Sequence, residues 1–203
     1  MLPFFGLVDV RQMLPTGWPA EIDNLSRTVA RRAHLVGGVS TSLESPGTSI
    51  SYRLIDGLGV AKYLPWLVRL YETEFLTIAE RFSARRLIVD RETVSSVNVN
   101  ILVPGERGYE WHVDSNPVTG LLFLSSHLHS EGGMLEFKSA DGHLFSIEPL
   151  AGALAVFDAR TCPHRVTAPT NSLRISAPMN YFGLGEYRNR PDDLDNVLYG
   201  NQT

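Results

Sequence analysis

A mainly β fold, a sandwich or barrel preceded by helices, is what the apolar pattern of this chain predicts. Three observations carry that prediction. Before about residue 86 the apolar residues recur every three or four positions, as on one face of a helix. From Leu87 onward the recurrence shortens to two, in short segments separated by Gly, Pro, Asn, Asp or Ser clusters. Asp141-Gly142, between two such segments, is a hairpin signal.

Taken in order, residues 19–36 place Ile22, Leu25, Val29, Ala33 and Val36 on one helical face, with Pro19 in the first turn and Gly37-Gly38 at the end. Residues 39–57 are rich in Ser, Thr, Gly and Pro and read as a long loop, a candidate lid or a plain surface connection. A second helix is expected over 60–82, where Val60, Tyr63, Leu64, Leu67, Tyr71, Phe75, Ile78 and Phe82 form a stripe, with Pro65 delaying its start. That stripe reads as packing against the β half. Strands are expected at 87–89, 94–103, 109–113, 119–125, 134–138, 144–147, 153–157, 165–168 and 173–182.

At 203 residues the chain is expected to form one domain: 1–86 as helical support and substrate loop, 87–182 as the β core, 183–203 as a tail. Lys and Arg total 18 against 22 for Asp and Glu, too mild a balance for a nucleic-acid or anionic-membrane partner. The single cysteine, Cys162, excludes an internal disulfide framework and fits a reducing compartment. The apolar opening has no basic leader and meets Asp9 and Arg11 early, so no signal peptide is read there. A cytoplasmic location follows.

Chemistry concentrates in Tyr109-Glu110-Trp111-His112-Val113-Asp114. As a strand, this segment presents an imidazole and a carboxylate on one face, with Trp111 and Val113 on the other. A divalent ion held by His112 and Asp114 needs a third ligand, for which His164 is the best candidate; a two-histidine, one-carboxylate face suits iron. Ten residues beyond His164, Arg174-Ile175-Ser176 again puts two polar side chains on one strand face. The guanidinium fork matches a carboxylate, and the Ser hydroxyl adds a second contact.

His112-x-Asp114, then His164, then Arg174-x-Ser176 resembles the Fe(II)/2-oxoglutarate-dependent oxygenase family over roughly residues 97–182. The resemblance implies a double-stranded β-helix, or jelly-roll, packed against the N-terminal helices. It also implies iron held by His112, Asp114 and His164, with the distal carboxylate of 2-oxoglutarate on Arg174 and Ser176. Prolyl-hydroxylase-like members often carry a Tyr two residues before a Pro-Gly pair, where Leu102 stands here before Pro104-Gly105. Asn100, on the same strand face as Asn98, is the expected substitute.

Other residues compete for these roles. Asp158 is an alternative carboxylate, and Cys162, two residues before His164, an alternative ligand; a thiolate on an O₂-activating metal invites its own oxidation. Arg160 and Arg165 compete with Arg174; Arg165 is expected to point away from the metal and still to reach substrate. His127 and His129 are placed near a loop, His143 beyond the turn at the surface, and His34 in the first helix without a partner.

The resemblance implies O₂-dependent hydroxylation of an unactivated C–H with release of succinate and CO₂. Halogenation is disfavoured by Asp114, since a small residue stands there in halogenases. The compact chain favours a small molecule, an amino acid or a natural-product intermediate, with Tyr109, Trp111 and Arg165 as substrate contacts and a monomer or homodimer as the working form. The alternatives are a peptidyl hydroxylase of the same family and a cupin-like metal-dependent isomerase or lyase.

Overall fold

The computed structural model describes residues 5–37, 43, 47, 49–186, 195 and 199. Strand β1 (Phe5–Asp9) leads into α1 (Trp18–Thr28), β2 (Arg31–Leu35) and β3 (Ile50–Ile55). Three helices follow, α2 (Gly57–Tyr63), α3 (Pro65–Glu72) and α4 (Glu74–Ser83), then β4 (Leu87–Val89) and the single turn α5 (Thr93–Ser96). The rest is β: β5 (Val99–Leu102), β6 (Val118–Phe123), β7 (Leu135–Lys138), β8 (Leu144–Ile147), β9 (Ala153–Asp158), β10 (His164–Val166) and β11 (Arg174–Gly183).

One antiparallel sheet runs β1-β9-β6-β11-β5-β3-β2, with β4 also on β11, and a smaller sheet runs β10-β7-β8. The period of two in β11 assigns its two faces. Ile175, Ala177, Met179 and Tyr181 join the core shared with Leu67, Tyr71 and Phe75 of the helices, while Arg174, Ser176, Pro178 and Asn180 face the cavity between the sheets. A second core, including Leu54, Phe123, Leu135 and Phe137, surrounds that cavity. Tyr71 ties the helical layer to the sheet: its buried hydroxyl donates to the Asn180 carbonyl at 2.6 Å and accepts from the Asp90 amide at 2.7 Å. No helix among the described residues is long and apolar enough to cross a membrane.

Several expectations are corrected. The first helix stops at Thr28 and its expected second half is β2, in which Ala33 and Leu35 are buried while Arg32 and His34 are exposed, a period of two. His34 is therefore a strand residue, and its Nδ1 meets Ser51 Oγ at 3.2 Å. Residues 50–55, expected in the loop, pair with β2 because Ile50, Tyr52 and Leu54 alternate inward. Of the remaining loop, residues 38–42, 44–46 and 48 lie outside the described residues, as do 187–194, 196–198 and 200–203 of the tail.

The long second helix is three. Pro65 has no amide hydrogen to continue the ladder of α2 and instead opens α3, and Thr73 leaves helical geometry at φ −124°, ψ −90°. Residues 94–96 form a helical turn before β5. Residues 109–113, expected as a strand, form no regular ladder and meet β10 at an isolated bridge between His112 and His164.

Candidate active site

The bridge is what assembles the site. His112 and His164 exchange both backbone hydrogen bonds, at 3.0 and 2.9 Å, and the Val166 amide donates to the Tyr109 carbonyl at 3.0 Å. Close approach of the two chains needs Gly108, where a Cβ would fall 1.9 Å from the Val166 carbonyl oxygen. The Asp114 amide then donates to the Ala159 carbonyl at 2.8 Å, bringing the carboxylate under both imidazoles.

Asp114 Oδ1 lies 3.6 Å from His112 Nε2 and 3.5 Å from His164 Nε2, and the three ligand atoms all fall within 4.8 Å of one another. A divalent ion bound ~2.1 Å from each would space such atoms by about 3.0–3.4 Å, close to this arrangement. Backbone carbonyls fix the tautomers. His112 Nδ1 donates to Glu110 O at 2.6 Å and His164 Nδ1 to Cys162 O at 3.0 Å, so both Nε2 lone pairs face the carboxylate. Thr119 Oγ1 donates to Asp114 Oδ2 at 2.7 Å and orients it.

Protonation states suit metal binding. Burial, reinforced by the charge of His164, lowers His112 to about 4, favouring neutral imidazole. Burial raises Asp114, but the neighbouring imidazoles and the Thr119 hydroxyl outweigh it and hold the carboxyl below its ordinary value. The arrangement is two imidazole nitrogens and one carboxylate oxygen on a common face.

Arg174 occupies the same cavity, 2% exposed. Its Nε donates to the Gly133 carbonyl at 2.8 Å and its Nη1 to Ser176 Oγ at 2.8 Å, while Nη2 is buried without a hydrogen-bond partner. Burial lowers its pKa to about 10, partly opposed by Tyr109, which leaves it charged at neutral pH. A buried cation with an unmet donor is costly unless an anion meets it. Ser176 pairs across the sheet with Asn100, and Arg174 with Leu102. Asn100 Oδ1 is also buried and unpartnered.

Of the expected substrate contacts, Tyr109 lines the cavity, with its hydroxyl fully buried and without a partner. Burial and the Tyr52 and Tyr199 hydroxyls push its pKa well up, and Arg174 pulls the other way. Trp111 and Arg165 do not line the cavity. They stack in a separate surface hollow with Glu110, the guanidinium 4.8 Å from the indole centroid, and Arg165 pairs with Glu136 at 2.6 Å.

The competing residues fall elsewhere. Asp158 Oδ1 accepts from the Thr161 amide, Arg160 donates to the Ser115 carbonyl, and His127 Nε2 contacts the Leu173 carbonyl. Cys162 is a free, buried thiol, and His129 and His143 are exposed. Residues missed from the sequence are Thr119, Asn116 and Asn180, whose signal, inward positions on or beside β6 and β11, exists only once the register is known.

With the two facing sheets and this cavity, the fold is the double-stranded β-helix of 2-oxoglutarate/Fe(II) oxygenases. A 2OG-Fe(II) oxygenase-family oxidoreductase from Burkholderia pseudomallei has a TM-score of 0.62 at 13% identity, over 90% of this chain and 88% of that one. A prolyl hydroxylase from Trichoplax adhaerens, in complex with a hypoxia inducible factor peptide, has 0.61 at 18% identity, over 92% and 86%. SnoN, a non-heme α-ketoglutarate-dependent epimerase from nogalamycin biosynthesis, has 0.64 at 14% identity, over 89% and 78%. No protein-family model and no curated protein sequence matches the chain.

Proposed function

We propose that this protein is an Fe(II)- and 2-oxoglutarate-dependent oxygenase that hydroxylates an unactivated C–H of a small molecule. The observation that carries the reading is one cavity holding both the His112, Asp114, His164 face and the unmet Nη2 donor of buried Arg174. The donor set fits ferrous iron. The unmet guanidinium and the Tyr109 hydroxyl fit the distal carboxylate of the cosubstrate, with Ser176 and Asn100 beside it. Tyr109 is thus a cosubstrate contact in this reading, not a substrate contact.

When bound, iron and 2-oxoglutarate supply the activation of O₂, coupling oxidative decarboxylation to succinate and CO₂ with oxidation of a substrate C–H. The chain's own residues do the positioning. Glu110 and Cys162 carbonyls lock the two imidazoles, Thr119 locks the carboxylate, and Gly133 and Ser176 hold Nε and Nη1 of Arg174. Leu121, Leu135, Phe157 and Val166 form apolar walls that limit water around the reacting centre.

The cavity is a concave site between the two sheets, which suits a small molecule better than a folded partner. Trp111 and Arg165 remain candidate substrate contacts at the outer hollow. We read the whole chain as one domain working as a monomer or homodimer, and the free Cys162 supports a cytoplasmic setting.

The test is succinate formation from 2-oxoglutarate. It is expected to require Fe(II) and O₂ and to vanish in His112→Ala. Metal-dependent turnover of a substrate without 2-oxoglutarate or O₂ would instead make the protein an isomerase or lyase.

A further inference from the structure

One buried imidazole lies outside both the metal face and the cavity lining. His127 is 2% exposed, and its Nδ1 is buried with no hydrogen-bond partner. Its Nε2 lies 3.2 Å from the Leu173 carbonyl, which can only accept, so Nε2 carries the proton and Nδ1 keeps a bare lone pair. Burial lowers its pKa, opposed by the Leu173 hydrogen bond, and favours the neutral ring.

Packing alone does not account for an imidazole here. A buried acceptor left unmet costs free energy, and an apolar ring of similar shape would fill the space without that cost. What the imidazole adds over such a ring is a single donor, the Nε2–H on Leu173.

The two segments that His127 touches are the two that direct Arg174. Leu173 immediately precedes Arg174, the first residue of β11, so the donor holds the backbone where the guanidinium-bearing side chain departs. On the other flank, the Ile175 amide donates to Ser125 Oγ at 2.8 Å. Ser125 and His127, two residues apart, thus bracket Arg174 from both sides. The second segment is Gly133, whose carbonyl accepts from Arg174 Nε at 2.8 Å. Gly133 has φ +78°, and a Cβ there would lie 3.3 Å from Cγ and Nδ1 of His127 and 3.4 Å from Cδ of Arg174. The bare glycine is where the imidazole and the arginine stem come together. His127 is anchored in turn by its amide, which donates to the Pro149 carbonyl at 3.0 Å.

We infer that His127 is a positioning residue for the cosubstrate: by bonding Leu173 and lying against Gly133, it holds the guanidinium of Arg174 in the direction that meets the distal carboxylate of 2-oxoglutarate. Direction matters because a charge-assisted bond from a planar fork weakens when the fork is turned. The inference deepens the oxygenase reading and rests on it for the identity of the anion.

The test compares two chelating anions on the full chain loaded with Co(II), followed by the visible spectrum of the ion. 2-Oxoglutarate reaches both the metal and Arg174, whereas oxalate chelates the metal and has no distal carboxylate. His127→Phe keeps an aromatic ring and removes the donor. Its 2-oxoglutarate affinity is expected to fall about five- to tenfold, with oxalate affinity at the parent's value. His127→Gln, which restores an amide donor, is expected to recover most of the loss. Equal 2-oxoglutarate affinity in parent and His127→Phe, an equal fall for both anions, or a His127→Gln no better than His127→Phe overturns the inference. If His127→Phe does not fold, His127→Leu takes its place, and failure of both to fold makes His127 a packing residue and overturns it too.

A second readout needs neither metal nor cosubstrate. The Nε–H of Arg174, assigned by NMR on arginine-labelled protein through its loss in Arg174→Lys, is expected to exchange with solvent about fivefold faster or more in His127→Phe. Unchanged exchange overturns the inference. A parent that binds oxalate but not 2-oxoglutarate, with exchange still accelerated in His127→Phe, counts against the oxygenase reading alone and supports the positioning of Arg174 by His127.

Discussion

Thr119 Oγ1 donates to Asp114 Oδ2 at 2.7 Å, which leaves Oδ1 turned toward both imidazoles. Thr119 itself accepts from Asn116 Nδ2, so the carboxylate is held by a relay rooted in the turn before β6. Such outer partners fix ligand orientation. Thr119→Val keeps the shape and removes the donor. We expect divalent-metal affinity to fall about tenfold or more, read by titration with Co(II), with the fold unchanged.

Tyr109 presents the opposite case, a hydroxyl buried with nothing to bond. Tyr109→Phe removes an unmet polar group, so the free protein is expected to be as stable as the parent or slightly more so. Its affinity for 2-oxoglutarate is expected to drop about five- to tenfold through loss of a hydrogen bond to a charged group, with metal affinity unchanged. Calorimetric titration of the Zn(II) form checks both. An unchanged cosubstrate affinity would remove Tyr109 from that role.

Stability and function separate at Tyr71, which packs in the helical layer and does not line the cavity. Tyr71→Phe strips a donor from the Asn180 carbonyl and an acceptor from the Asp90 amide. The expected loss is about 1–3 kcal/mol in denaturant unfolding. Metal and cosubstrate affinities measured well below the melting temperature are expected to stay at the parent's values.

Cys162 lies two residues before a metal-face histidine, yet its thiol is buried. Burial first, and the Asp158 charge second, raise its pKa, so little thiolate forms at neutral pH. Iodoacetamide is expected to leave it unmodified in the folded protein and to alkylate it fully in denaturant, by mass.

The site was legible where chemistry and strand period coincide. His112-x-Asp114 and Arg174-x-Ser176 are pairs that a period of two puts on one face, and Asn100 does stand opposite Ser176. Tyr109, expected as a substrate contact, does line the cavity although alternation from His112 would turn it outward, because residues 109–112 are not a regular strand. Trp111 was displaced for the complementary reason, its ring following the outward face onto Arg165. In the first third, Ala33 satisfied helical and strand periods alike, and only pairing with residues 50–55 decides between them.

The central claim is that one cavity binds ferrous iron and 2-oxoglutarate together, and anaerobic titration followed in the visible range tests it most directly. The account predicts a weak charge-transfer band that develops only when both are present, disappears in His164→Ala, and needs much higher 2-oxoglutarate in Arg174→Ala. Absence of any band at saturating metal and cosubstrate, or an Arg174→Ala titration superimposable on the parent's, would contradict it.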